Sequence, residues 1–122
     1  MTKILLAEDD LFLRDVYNEV LESEGFEVTD AIDGEEALEK IKKGGWDLVL
    51  LDVIMPKMTG IDVLTHFKKD ELKILAKHVV FMTNSDDIKE LKKVLPLTDG
   101  YMQKSSYTPD QLVEKLKQYL NK

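Results

Sequence analysis

Residues 47–51 read DLVLL, apolar at every position after the first, and this stretch limits the possible folds more than any other. A strand with one apolar face can leave its other face in water. A strand that is apolar on both faces must be covered on both, as the central strands of parallel sheets are. Four more short segments have strand character: KILLA at 3–7, FEVTDA at 26–31, HVVFMT at 78–83 and the half-polar TDGYMQK at 98–104. Helical patterns alternate with them. Leu13, Val16, Tyr17, Val20 and Leu21 recur at three-four spacing until Gly25. In DGEEALEKIKKGG, Asp33 is placed to cap a helix whose inner face carries Ala37, Leu38 and Ile41. Ile61, Leu64 and Phe67 share a face of GIDVLTHFKK, and SDDIKELKKVL at 85–95 predicts a fourth helix. The last helix opens with Thr108 as its cap, Pro109 at the first position and Gln111 where a capping box needs it. Five strand–helix pairs in 122 residues predict one α/β domain, a doubly wound parallel sheet with helices on both faces.

Composition narrows the function. No apolar run approaches the roughly eighteen residues of a membrane helix, so membrane insertion is not expected. The amino terminus, MTKILLAEDD, has no long apolar stretch of the secretory kind, and a cytoplasmic location is expected. Without cysteine there are neither disulfides nor thiolate metal sites. A net charge of −7 argues against direct nucleic-acid binding, which depends on phosphate attraction. The charge is uneven, −9 over residues 1–60 and +2 over 61–122.

Function in open parallel sheets gathers beyond the carboxyl ends of the strands. Here the first strand ends at Glu8 and Asp9, the third at Asp52, the fourth at Thr83 and the fifth at Lys104. If the first and third strands are neighbours, three carboxylates crowd together and need a cation to stay ionised. All-oxygen donors with no histidine nearby favour Mg²⁺ or Mn²⁺. An open magnesium site suits phosphate, with Lys104 to neutralise phosphoryl oxygens, Thr83 to hydrogen-bond one, and Asp52 as the carboxylate that forms an acyl phosphate. Taken singly, these residues are ordinary turn formers, caps and solvated charges. Asp10 reads as a cap for the first helix. Only their joint arrival at the strand ends points to chemistry.

ILLAEDD, LVLLDVIMPKMTG, VVFMTNS and YMQK, in that order and spacing, make the chain resemble the receiver domains of two-component response regulators, the CheY-like family, from end to end. The resemblance implies a single receiver domain over residues 1–122 with strand order 2-1-3-4-5, the flavodoxin/CheY-like arrangement. It implies Asp52 as the phosphoacceptor, served by a histidine kinase or histidine phosphotransfer protein. It further implies Glu8, Asp9, Asp52 and the backbone carbonyl of Ile54 as Mg²⁺ ligands, with Lys104 touching the phosphoryl group. Thr83 and Tyr101 become switch residues, and the face built from the fourth helix, fifth strand and fifth helix binds a downstream protein. Any self-catalysed phosphorylation or dephosphorylation would be slow, so the domain is not expected to be an enzyme.

Three departures from the family pattern stand out. Ser105 follows the lysine where receivers usually carry a cis proline, and a cis bond before a non-proline costs about 2.5–4 kcal/mol, so a trans bond is expected. Asn84 occupies a position that is usually small. The segment VLPLTDG lacks the usual Gly-Ala-Asp pattern, and Pro96 is expected to end the fourth helix early. Two rival functions are a magnesium phosphohydrolase with an aspartyl nucleophile and a degenerate receiver acting only as an interaction module. The first lacks an acid two residues after Asp52, where Ile54 stands. A dinucleotide site would need glycines where the first turn has AEDD. His66, His78 and Trp46 read as structural.

Overall fold

The structure, a computed structural model, describes residues 1–84 and 89–122. Five parallel strands, β1 (Lys3–Ala7), β2 (Glu27–Ala31), β3 (Trp46–Asp52), β4 (Ala76–Thr83) and β5 (Gly100–Gln103), form one sheet in the order β2-β1-β3-β4-β5. The doubly fatty stretch is the centre of that sheet, paired with β1 on one side and β4 on the other.

Alternation along the strands divides the core in two. Ile4, Leu6, Leu48, Leu50, Val80, Met82 and Met102 point to the face covered by α1 (Leu11–Ser23) and α5 (Pro109–Leu120), where Leu21, Leu112 and Leu116 meet them. Leu5, Ala7, Val49, Leu51, Val79 and Phe81 point to the opposite face, under α2 (Gly34–Lys43), α3 (Gly60–Leu64) and α4 (Lys69–Leu75). Leu48, Val49, Leu50 and Leu51 are all wholly buried, and each leucine contributes about 1.5–3 kcal/mol by leaving water.

The caps form as the sequence predicts. Asp33 accepts from the Glu36 amide at 2.8 Å. Thr108 and Gln111 close a reciprocal capping box, with Pro109 inside the first turn. Trp46 is the first residue of β3, and its indole N–H donates to the Lys40 carbonyl of α2 at 2.9 Å.

Two helices differ from expectation. The helix expected over GIDVLTHFKK stops early, as α3 at Leu64, and a separate helix that the sequence reading did not assign, α4, follows from Lys69 to Leu75. The Phe67 amide turns back to the Leu64 carbonyl, and Lys68 takes an extended conformation before α4 begins. The helix expected over 85–95 is not α-helical in its described part. Two 3-10 turns, Leu91–Lys93 and Leu95–Leu97, stand there, closed by i→i−3 bonds from Val94 to Leu91 and from Leu97 to Val94. Pro96 stops an α-helix from continuing here, since it has no amide to donate and its ring clashes with the preceding turn. Residues 85–88 of that segment lie outside the described residues. The Lys104–Ser105 bond is trans, and a short 3-10 turn, Lys104–Ser106, follows β5 directly.

Candidate functional site

The alternation that builds the core also aims the site. One step past Ile4 and Leu6 on the same side comes Glu8, one step past Leu48 and Leu50 comes Asp52, and one step past Met102 comes Lys104. All three side chains therefore emerge toward α1 and α5 at the carboxyl edge of the sheet, and they meet. Lys104 Nζ donates to Glu8 Oε1 at 2.6 Å and to Asp52 Oδ2 at 2.9 Å. Glu8 is wholly buried and Asp52 is 5% exposed. Asp9, the next residue, is exposed and completes the cluster. One oxygen from each of Glu8, Asp9 and Asp52 lies within 4.8 Å of the others.

A single ammonium is thus shared among carboxylates it cannot fully neutralise. Burial pushes the Glu8 carboxyl up to about 7, and the neighbouring Asp52 pushes the same way while Lys104 opposes both. Burial alone would lower Lys104, but its hydrogen bonds and charge contacts with Glu8 and Asp52 outweigh that and raise it above 10.5. Glu8 Oε2 is buried with no hydrogen-bond partner. A buried acceptor left so costs about 1–3 kcal/mol, more if charged. An all-oxygen cluster that is short of positive charge, with one orphaned buried oxygen, fits a hard divalent cation. The acidic pocket could therefore hold a metal ion.

The surrounding backbone fixes Asp52. Val53 donates to the Met82 carbonyl at 3.0 Å, and the Gly60 amide returns to the Val53 carbonyl at 2.8 Å. Only glycine fits at position 60, because a Cβ there would sit 2.4 Å from the Asp52 carbonyl oxygen. The Ile54 amide leans toward Asp52 Oδ1 at 3.4 Å, and its side chain is 67% exposed at the rim. Thr83 follows the opposite alternation, that of Val79 and Phe81. It lies buried in a cleft of ≈ 390 Å³ whose walls include Val53, Ile54 and Ile61. Tyr101 stands apart from the cluster on the edge strand β5, opposite Phe81 and partly exposed.

One contributor escaped the sequence reading. Arg14 Nη1, on α1, donates to the carbonyl of Glu8 at 2.9 Å and approaches that of Asp9 at 3.4 Å. The available signal was charge. Arg14 is the sole cation of a helix whose other charged residues, Asp15, Glu19 and Glu22, are acidic.

Comparison with known proteins agrees with this fold. A family model described as the response regulator receiver domain matches residues 4–117. The transcriptional regulatory protein CpxR of Escherichia coli is 38% identical over 125 residues, covering 100% of this chain and 50% of its own. The chain spans about half the length of such curated relatives. Among solved structures, a CheY-like receiver domain protein from Methanospirillum hungatei superposes with a TM-score of 0.86 at 29% identity, covering 99% of this chain and 94% of that one. The response regulator TrrA of Thermotoga maritima, solved in complex with Mg²⁺-BeF, gives 0.82 at 33% identity, covering 98% and 99%. Among the described residues no helix is long and apolar enough to cross a membrane.

Proposed function

This chain belongs to the response regulator receiver family, and from that membership we propose that it is a phosphoacceptor of two-component signalling, with Asp52 taking the phosphoryl group. Receiver domains interact with histidine kinases and downstream effectors and are generally not enzymes in their own right. The observation that carries the reading is the single ammonium of Lys104 held between Glu8 and Asp52 at the carboxyl edge of the sheet.

In the proposed reaction a carboxylate oxygen of Asp52 attacks the phosphorus of a phosphohistidine. The P–O bond forms as the P–N bond breaks, leaving an acyl phosphate and returning the electron pair to the imidazole. Glu8, Asp9 and Asp52, with the Ile54 carbonyl, would hold Mg²⁺, which when bound offsets the charge of the phosphoryl oxygens. Lys104 trades a carboxylate partner for a phosphoryl oxygen. Gly60, without a Cβ, leaves room for the Asp52 carbonyl behind it, and its amide holds the next carbonyl, that of Val53. Thr83, in its cleft beside Ile54, then moves its hydroxyl toward the new anion. Tyr101 follows, changing the face made by β5, α5 and the turns at 91–97 for a downstream protein. The partners would be a histidine kinase or histidine phosphotransfer protein upstream and a protein target downstream. We place the reaction in the cytoplasm and its accepting site within one receiver domain, residues 1–122.

Incubation with acetyl phosphate and Mg²⁺, followed by intact-mass spectrometry, tests the proposal. The protein should gain one phosphoryl group, and Asp52→Asn should gain none. Equal labelling of the two would remove Asp52 from the reaction, and labelling of neither would leave the fold as an interaction module alone.

A further inference from the structure

We propose that Arg14 is a positioning residue for the cation site, holding the Glu8–Asp9 turn through its backbone. This inference deepens the reading of the acidic cluster given above and rests on it.

The geometry is specific to the main chain. Glu8 and Asp9 leave β1 as adjacent residues, yet one side chain is wholly buried and the other exposed, so the turn between them must be fixed for both to reach one ion. The amide of Glu8 is held by the Ala31 carbonyl at 3.1 Å. Its carbonyl, on the other side of the residue, is held by Arg14 Nη1 at 2.9 Å, and the same nitrogen lies 3.4 Å from the Asp9 carbonyl. The backbone of Glu8 is therefore gripped at both ends, and the direction of its Cα–Cβ bond is set.

Arg14 is itself held in place. Its side chain is only 13% exposed, and its Nε lies 3.9 Å from Asp30 Oδ2 on β2. That same oxygen accepts from Asn18 Nδ2 at 2.8 Å, one turn along α1. A guanidinium paired through Nε with Asp30 and donating through Nη1 uses the rigid plane that fixes arginine's nitrogens relative to one another, which the flexible ammonium of lysine does not reproduce. Groups that orient metal ligands without touching the metal typically change affinity 10–100-fold when removed.

The sign of the effect separates positioning from charge. Removing a positive charge beside a cation site strengthens cation binding by simple electrostatics. Loss of positioning weakens it. Isothermal titration calorimetry with Mg²⁺ alone, on the whole chain, reads the difference. Arg14→Met should weaken Mg²⁺ binding about tenfold despite the lost charge, and Arg14→Lys should recover only part. Arg14→Gln removes the same charge, should weaken binding in the same direction, and carries the test if Arg14→Met does not fold. Binding as tight as wild type or tighter, in whichever of these two variants folds, would overturn the role. A wild-type protein that gave no saturable heat with Mg²⁺ would sink the site reading itself, and this inference with it.

Discussion

Replacing Lys104 with methionine keeps most of the side-chain volume and deletes the one cation in the cluster. In the native protein its ammonium touches Glu8 at 2.6 Å and Asp52 at 2.9 Å from a side chain only 8% exposed. Breaking a buried ion pair by removing one partner costs about 3–5 kcal/mol when the remaining charge stays ionised. Here the protein has an escape, because Glu8 can take a proton. Its folded pKa, about 7, is above the ordinary 4.5. The folded state therefore binds more protons than the unfolded chain between those values, and stability falls as pH rises through that window. Lys104 provides the part of the balance that lowers the Glu8 pKa. Without it the window must extend above pH 7. The wild-type protein completes this loss about one unit above its Glu8 pKa, while the variant goes on losing at higher pH, by up to about 1.4 kcal/mol per pH unit. Urea denaturation of both proteins at pH 6, 7, 8 and 9, with a chelator present, measures this directly. The variant should be closest to wild type at pH 6 and fall behind toward the full cost at pH 9. Two stability profiles that run parallel across this range would refute the electrostatic account of the cluster.

Other predictions follow from single contacts. Gly60→Ala should destabilise the fold by about 1–3 kcal/mol and slow labelling by acetyl phosphate, because the added carbon would sit 2.4 Å from the Asp52 carbonyl oxygen. Wild-type stability and rate would show that this approach relaxes freely. Asp33→Ala should cost about 1 kcal/mol at pH 7 through the lost cap of α2. The Glu36 amide holds the Asp33 carboxyl below its ordinary 3.8, so the cost should persist above that value and shrink as pH falls through the lower folded pKa. Denaturation curves at pH 7 and at stepwise lower pH check both halves. Adding Mg²⁺ to the native protein at pH 7 should raise its melting temperature, and Glu8→Ala should lose most of that rise.

The legible part of the molecule was whatever neighbours in sequence decide. Leu48 to Leu51 announced a strand covered on both faces, and Thr108, Pro109 and Gln111 announced a helix start, because burial period and caps are written within a few residues. The strand-end acids were legible for the same reason, as each ends its own apolar run. The separate helix α4 was not, since Lys69–Leu75 offers only Leu72 as a fully buried anchor and no strong periodic stripe. The 3-10 turns at 91–97 were half legible. Pro96 forbade a continuing α-helix, but it could not say that the chain before it would already be wound with i→i−3 bonds.

By itself, then, the sequence determined the five-strand alternation, the two-sided cover of β3, and the delivery of Glu8, Asp9, Asp52 and Lys104 to the ends of three strands. Only the tertiary structure decided that one ammonium bridges residues 96 and 52 positions away. The same is true of Arg14 gripping the carbonyls of the acidic turn, Gly60 lying against the back of Asp52, and Thr83 facing the opposite side of the sheet from Lys104. Periodicity tells a side chain which face to take. Which atoms it touches depends on the register and packing of distant segments, and nothing in a local pattern specifies those.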